Sequence, residues 1–323
     1  MQRKALYALL LVGLLVAPWA GAYPLFVMKV LCFALFAAAF NLLIGYTGLL
    51  SFGHAMFLAS AGYMTGYTIQ TLGLTPELGV FAGTAAATLL GLVVGFFAIR
   101  RQGIYFAMVT LALAQLVYFI FLQAPFTGGE DGLQGVQRGK LFGLLSLSSD
   151  MTLYYVILVA VALAFALIVR IVHSPFGQVL TAIRENEPRT VSLGYDTDRF
   201  KLLAFVLSAG IAGFAGALKV LVLGFETLGD AYWTMSGLVI LMTLVGGMGT
   251  LFGPLLGAAL VVTLEDRLGD IGGALAALTH VDWFNSLGDS TTIVIGLVFI
   301  ACVLTFRRGI VGEIVARVRP LRG

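Results

Sequence analysis

The chain has 323 residues, 60% of them hydrophobic and only 11% charged, with a formal net charge of +3. Soluble domains carry about 25% charged residues. This composition therefore excludes an ordinary soluble enzyme or nucleic-acid-binding module and places the chain among integral membrane proteins. Two cysteines, Cys32 and Cys302, sit in apolar runs and offer neither a disulfide framework nor metal-ligand spacing. The histidines His54, His173 and His280 are far apart in sequence.

Apolar runs of membrane-span length fall at 5–22, 25–44, 50–70, 78–98, 103–123, 152–172, 202–222, 234–249, 251–264 and 290–306. The first follows Arg3 and Lys4 and ends Trp19-Ala-Gly-Ala-Tyr23, so it reads either as a signal peptide or as a retained first helix. The runs 234–249 and 251–264 are short and glycine-interrupted, and read as two tilted spans or a re-entrant pair. Placing the N-terminus in the cytoplasm puts every Lys and Arg inside except Lys29, Arg138, Lys140, Lys219 and Arg267. That is the orientation the positive-inside rule selects. The expected fold is an all-α integral membrane protein. It is a polytopic helix bundle of about 10 spans (8–10) with both termini cytoplasmic. Its outer loops are 124–151 and 265–289, and the glycines of Thr127-Gly-Gly-Glu-Asp-Gly-Leu-Gln-Gly135 predict turns in the first.

One cytoplasmic stretch, 173–201, is polar between oily neighbours. Ser174 and Pro175 read as an N-cap and first helical residue. The helix then runs to about Glu185. Asn186-Glu187-Pro188 interrupts it, because proline is tolerated in a first turn but not inside a helix. A short second helix follows at about 188–193. Gly194 supplies its C-terminal stop and Asp196 caps the next span. Val179, Leu180, Ala182, Ile183, Val191 and Leu193, mixed with Arg184, Glu185, Glu187 and Arg189, suit docking into a partner's groove. The alternative is a helix lying on the headgroups.

The residues Ser174-Pro-Phe-Gly177, Ala182-Ile-Arg-Glu-Asn-Glu187, Ser192-Leu-Gly-Tyr195 and Lys201-Leu-Leu-Ala-Phe-Val-Leu-Ser208 resemble the coupling region of ATP-driven importers. With Asn41-Leu-Leu-Ile-Gly-Tyr-Thr-Gly-Leu-Leu-Ser-Phe-Gly-His54 and Leu244-Val-Gly-Gly-Met-Gly-Thr-Leu-Phe-Gly-Pro254, the chain is similar to the M-type membrane subunit of the branched-chain amino acid permease family. The resemblance implies a single transmembrane permease domain over 1–323 with the ABC-importer permease fold, in the bacterial inner membrane. It implies that Ser174, Pro175, Gly177, Arg184, Glu185, Asn186, Glu187, Leu193 and Gly194 couple the chain to an ATP-binding subunit. The implied assembly adds a homologous H-type permease subunit, two ATP-binding subunits and a periplasmic or lipid-anchored substrate-binding protein. The chain itself would hold no cofactor, since ATP is used by its partners. The implied cargo is leucine, isoleucine and valine. Related importers for urea, short amides or aromatic acids share the same motifs.

Asn41, Tyr46, Thr47, Ser51 and His54 are polar groups in apolar surroundings, next to Gly45, Gly48 and Gly53, which favour a helix break. They line a translocation path or hydrogen-bond between helices. The glycines at 210, 213 and 216 and at 246, 247, 249 and 253 read as close-packing or hinge positions. Glu226, Asp230, Glu265, Asp266 and Asp270 read as an outer acidic rim, facing a binding protein or serving solubility, with Lys219 and Arg267 pairing to them. No G-x-x-x-x-G-K-[ST] occurs, so the chain has no phosphate-binding loop of that type. No Asp or Glu falls well inside an expected span, and Ser51 with His54 makes only a weak hydrolytic pair. A stand-alone secondary transporter or channel is the rival class, although ion coupling usually needs ionisable groups at mid-membrane.

Overall fold

A computed structural model describes residues 12–143, 145–279, 291–306 and 309–318. Outside them lie residues 5–11 of the first expected span, residues 280–290 of the second outer loop, and the C-terminal Arg307, Arg308, Arg319 and Arg322. The described chain is overwhelmingly helical. Its long helices are α1 (Pro24–Ile44), α2 (His54–Gln70), α3 (Pro76–Ala98), α4 (Ile104–Gln123), α5 (Asp150–Val172) and α7 (Thr197–Leu223). Between α5 and α7 lies α6 (Pro175–Ser192). After α7 come α8 (Leu228–Ala231), α9 (Trp233–Gly246), α10 (Gly253–Thr279), α11 (Thr291–Thr305) and α12 (Gly309–Val318). By length and composition α1, α3, α4, α5 and α7 can each cross a membrane.

The axis of the bundle is α1. Its sequence is apolar on every face, which marks a helix enclosed by others, and it is buried almost continuously from Leu31 to Ile44. It packs against α5, α7, α9 and α10. A second packed group is α2, α3 and α7. Small residues set its spacing: a Cβ at Gly216 of α7 would overlap the Leu58 carbonyl of α2, and one at Gly213 would overlap Ala87 of α3. Close backbone approach of this kind is how helices gain dispersion contacts in lipid, where no hydrophobic drive holds them together. The glycines at 213 and 216 are thus packing positions. Those at 246 and 257 let α9 and α10 fold back on each other, since a Cβ at either would strike the other helix's backbone.

Two expectations change. The run expected as 50–70 begins only at His54, because the chain between α1 and α2 is irregular. The outer segment expected as a loop from 265 is helical as far as Thr279. Its charged turn is compatible with a helix because Asp266 reaches Lys29 of α1 at 2.6 Å, Arg267 pairs with Asp270 at 3.3 Å and Leu268 is buried. The 234–264 region forms two helices, α9 and α10, joined at Gly247 (φ +123°) and Gly249 (φ +77°).

Opposite the α6 end of the bundle, the 124–149 segment is pinned by short strands. Strand β1 (Leu133–Gln134) pairs antiparallel with β4 (Phe225–Glu226), and β2 (Lys140–Leu141) pairs with β3 (Leu145–Ser146). Positive φ at Gly128, Gly132 and Gly135 makes the expected turns. Here the acidic rim needs correction. Glu226 is fully buried and Asp230 nearly so, because Lys219 of α7 holds both from inside. Its Nζ lies 2.6 Å from Asp230 Oδ1 and 3.3 Å from both Glu226 carboxylate oxygens. Burial opposes ionisation of both carboxyls. At Asp230 the ammonium and two hydrogen bonds from Thr227 overcome it and hold the pKa below the usual carboxylate value. At Glu226 burial wins and the pKa rises well above it.

Two outcomes follow for thermal stability in detergent. Gly216→Val should force α2 from α7, at a cost of about 1–3 kcal/mol, read as a lowered melting temperature. Lys219→Met, which strands buried carboxylates, should cost about 3–5 kcal/mol at neutral pH. Asp230 has a depressed folded pKa, so its contribution is present above its unfolded value and lost as pH falls. The gap between wild type and Lys219→Met should therefore narrow as pH falls, starting where Asp230 of the variant, raised by burial without the ammonium, takes up its proton.

Candidate functional site

The site is built from α6 and the irregular stretch 45–53. Ser174 Oγ accepts from the Gly177 amide at 3.3 Å, which caps α6, and Pro175 occupies its first turn. Gly177 has no room for a side chain, since a Cβ would overlap the Ile171 and Val172 carbonyls at the end of α5. Leu180 and Ile183 face inward and are buried. The helix breaks at Asn186 (φ −159°, ψ 92°), the position the Asn-Glu-Pro run predicts. Asn186 Oδ1 then accepts from the Arg189 amide at 3.1 Å and restarts the helix. Gly194 (φ +91°) turns the chain, and Asp196 caps α7 through the Arg199 amide at 3.3 Å.

The second half of α6 is locked to α7. Lys201 is buried, and its Nζ contacts Glu187 at 2.6 Å and Asp198 at 3.2 Å, while Thr197 Oγ1 donates to Glu187 at 3.3 Å. The Phe176 and Phe200 rings stack with centroids 5.6 Å apart. Glu187 thus spends its carboxylate inside the chain. Glu185, Asn186 and Arg189 are exposed, and the tip presents Val191, Leu193, Gly194 and Tyr195 to the surroundings. Tyr195 meets the Phe200 ring edge-on with centroids 6.0 Å apart, while Val191 and Leu193 turn outward.

Arg184 joins this element to the bundle's interior. Its guanidinium Nη1 donates to the Gly45 carbonyl, the first main-chain group after α1. Asn41, one turn back on α1, donates through Nδ2 to the Thr250 carbonyl at 2.8 Å and accepts the Gly249 amide at 2.9 Å. A Cβ on Gly45 would collide with Asn41 and the Gly249 amide, and one on Gly48 would press on Arg184 at 3.2 Å. One knot therefore ties α6, the end of α1 and the α9–α10 turn. Arg184 and Asn41 were expected to serve separate purposes, and the fold brings them to the same carbonyl-rich break. The part played by Gly249 and Thr250 was not foreseen. Their Gly-Gly-Met-Gly-Thr run signals a turn, and its partner lies 208 residues away.

The remaining residues of the break sit as follows. Tyr46 is half-buried, and Thr47 donates to the Leu42 carbonyl at 3.3 Å. Ser51 Oγ accepts from the Gly53 amide at 3.2 Å. The His54 ring is fully buried among Phe40, Phe57 and Phe205, with centroids 5.0, 5.5 and 6.1 Å away. Its Nε2 lies 2.8 Å from Ser208 Oγ, which itself donates to the Ala39 carbonyl at 2.6 Å. Nε2 is therefore the donor to Ser208, and Nδ1 has no partner in the protein. Ser51 and His54 do not face each other as a nucleophile and base would. Ser236 of α9 accepts the Ala55 amide at 2.9 Å and caps α2 from outside its own sequence. Among the described residues, no group of His, Cys, Asp or Glu side chains is placed to hold a metal ion.

The comparisons with known proteins agree with this architecture. A family described as "Branched-chain amino acid transport system / permease component" matches residues 23–303. The high-affinity branched-chain amino acid transport system permease protein LivM of Escherichia coli is 30% identical over 298 residues, 81% of this chain and 68% of the relative. The protein of the same name from Salmonella typhimurium is 31% identical over 258 residues, 71% of this chain and 60% of that protein, so the match stops short of two thirds of its length. The autoinducer 2 import system permease protein LsrC of Yersinia pseudotuberculosis is 27% identical over 223 residues, 65% of this chain and 61% of its own. No solved structure matches. The family match over most of the chain, on a helical bundle with five helices able to cross a membrane, establishes that this chain belongs to the permease components of branched-chain amino acid transport systems.

Proposed function

We propose that the chain is the membrane-spanning subunit of an ATP-driven importer for leucine, isoleucine and valine. It sits as a multi-pass protein in the bacterial inner membrane with both termini in the cytoplasm. Two separate ATP-binding subunits drive it, a homologous H-type permease subunit completes the path, and a periplasmic or lipid-anchored binding protein delivers substrate. This chain hydrolyses no ATP. Closure of the ATP-binding subunits moves α6, and the membrane helices switch the side to which the path opens.

The observation that carries this reading is the link from α6 to the break. The exposed apolar tip at Val191, Leu193 and Tyr195 suits a groove on a partner. Glu187–Lys201 makes α6 move with α7, and Arg184 transmits that motion to Gly45 and through it to Asn41 and Gly249. A lever of this kind is needed only if the energy arrives from another polypeptide. The basic residues gathered at the α6 end support a cytoplasmic location for it. Ser174, Pro175, Gly177, Asn186 and Gly194 give α6 its shape, and Glu185 adds charge to its exposed face. In this reading the break at 45–53, with Tyr46, Thr47, Ser51 and His54, lies beside the path and changes shape with it.

A second reading keeps the mechanism and changes the cargo. Similarity to a protein named for autoinducer 2 import favours a wider substrate range for this architecture. Uptake of radiolabelled leucine, isoleucine, valine, phenylalanine and urea by the reconstituted complex separates the two. Leucine should be imported only with ATP, and leucine uptake by this chain alone in ATP-free vesicles would sink the importer reading.

The lever predicts an uncoupling phenotype. Arg184→Ala with Glu185→Ala, or Gly194→Val, should leave the protein inserted and ATP hydrolysis running while leucine uptake falls about tenfold or more. Asn41→Ala, which leaves the Gly249 amide and Thr250 carbonyl without their partner, should cost about 1–3 kcal/mol of stability as well. Normal coupling in all of these variants would remove α6 from the mechanism.

A further inference from the structure

A groove of about 370 Å³ runs along α5, walled by Leu14, by Leu31 of α1 and by Phe252 and Leu255 at the start of α10. Every residue lining it is apolar. Leu158, Ala162, Ala166 and Val169 of α5 form its length, and the small side chains of Ala162 and Ala166 leave the space. From Leu158 to Val169 the helix rises about 16 Å at 1.5 Å per residue. One leaflet of a hydrocarbon core about 30 Å thick is about 15 Å deep. Ala166 is exposed, so the groove opens at the side of the bundle. Arg170 continues the Ala162–Ala166 row at i, i+4 spacing, which places it one turn beyond the lining at the α6 end. It is exposed and has no hydrogen-bond or ion-pair partner among the described residues. The sequence holds no acidic residue between Asp150 and Glu185, and Asp150, at the other end of α5, pairs with Arg138 at 2.5 Å.

We infer that this groove binds one acyl chain of an anionic phospholipid of the cytoplasmic leaflet, whose phosphate meets Arg170. An apolar lining offers a polar ligand no hydrogen bond. A void that opens on hydrocarbon forfeits dispersion contacts until a chain fills it. About 370 Å³ spread over about 16 Å suits a single file of methylenes and excludes a partner's helix, whose diameter is about 10–12 Å. The groove is as deep as one leaflet, so a chain lying in it brings its headgroup to the level of Arg170. A guanidinium stays charged and matches phosphate oxygens in bidentate fashion. A zwitterionic headgroup carries its own ammonium and gains less from the same arginine. The choice of leaflet rests on the orientation proposed above, in which the α6 end is cytoplasmic. The position links the lipid to the moving parts. The last turn of α5 leads through His173 into the Ser174 cap of α6. On the other wall, Phe252 follows closely on the Gly249–Thr250 turn held by Asn41, and its ring meets that of Phe165 with centroids 6.0 Å apart. A chain in the groove braces the two elements that the Arg184 and Asn41 contacts connect, and coupled transport depends on the anionic lipid for that reason.

The test uses the assembled transporter in phosphatidylcholine vesicles doped with a phosphatidylglycerol that carries a mid-chain diazirine. Photolabelled residues are mapped by mass spectrometry. Label should concentrate on residues 158–169 and on Leu255. Unlabelled phosphatidylglycerol should compete about fivefold better than phosphatidylcholine. Arg170→Gln should remove that preference and keep the chain contacts. Ala166→Phe and, independently, Ala162→Phe fill the groove and should cut its labelling to the level of the surrounding lipid-exposed face. Arg170→Gln leaves the groove unaltered, so it decides the matter even where both phenylalanine variants fail to assemble. Label spread evenly over the lipid-exposed helices, equal competition by the two lipids, or an unchanged preference in Arg170→Gln would overturn the proposal. So would labelling that appears only when residues 1–11 are deleted or the second permease subunit is omitted, because protein then occupies the groove. ATP-driven leucine uptake is measured in the same vesicles and should fall when phosphatidylglycerol is left out. Uptake without labelling of the groove sinks the lipid site alone, and labelling without ATP-driven uptake sinks the importer reading alone.

Discussion

Backbone N–H and C=O groups that leave a helix inside a membrane must find partners in the protein, because lipid offers none. The stretch between α1 and α2 leaves helical geometry at the α6 end of the bundle, largely out of solvent, and much of the surrounding structure answers that demand. Arg184 takes the Gly45 carbonyl, Ser51 takes the Gly53 amide, Thr110 Oγ1 takes the Phe52 amide at 3.2 Å, and Ser236 takes the Ala55 amide. The partners come from α4, α6 and α9 as well as from the break itself. A local departure from the helix therefore binds distant elements together. Any movement of α6 reaches the break directly, which is why the break and α6 form one site.

The end of the bundle opposite α6 solves a related problem with charge. Lys219 lies inside α7, where a charge without a partner is costly. Asp230 and Glu226 fold inward to meet it, and β4 carries Glu226 into register with Leu133 of the outer segment. Two ends of one bundle are thus tied differently. The α6 end relies on main-chain carbonyls and amides held by Arg184 and Asn41. The opposite end relies on a buried cation with two carboxylates. The first arrangement can exchange partners at modest cost, since each bond replaces another of its kind. Breaking the second strands a charge.

Local features were legible in the residues alone. The Ser174 cap, the break at Asn186, the turn at Gly194 and the Asp196 cap depend on residues within a few positions of each other, and all four are present. Helix boundaries at α1, α3, α4 and α5 follow the apolar runs closely. Two errors have a common origin. Acidic residues were read as solvent-facing, which misplaced Glu226 and Asp230 and turned 265–279 into a loop. The pairing of Lys219 and Arg267 with acidic neighbours was legible and is present, but sequence hydropathy shows neither how deep Lys219 lies nor that Lys29 reaches Asp266. His54 was also hard to read, because the aromatic rings around it come from α1, α2 and α7.

By itself the sequence determined membrane class, the positions of most helices, the internal break in α6 and the motifs that match the permease family. These follow from composition, from the period and length of apolar runs, and from caps and prolines, all of which act over one or two turns. Only the tertiary structure decided that Arg184 reaches Gly45, that Asn41 holds the α9–α10 turn and that Lys219 draws two carboxylates inward. Each of these joins residues from different helices. Which polar group meets which is set by the packing of small residues such as Gly213, Gly216 and Gly257, whose contacts fix how closely the helices approach.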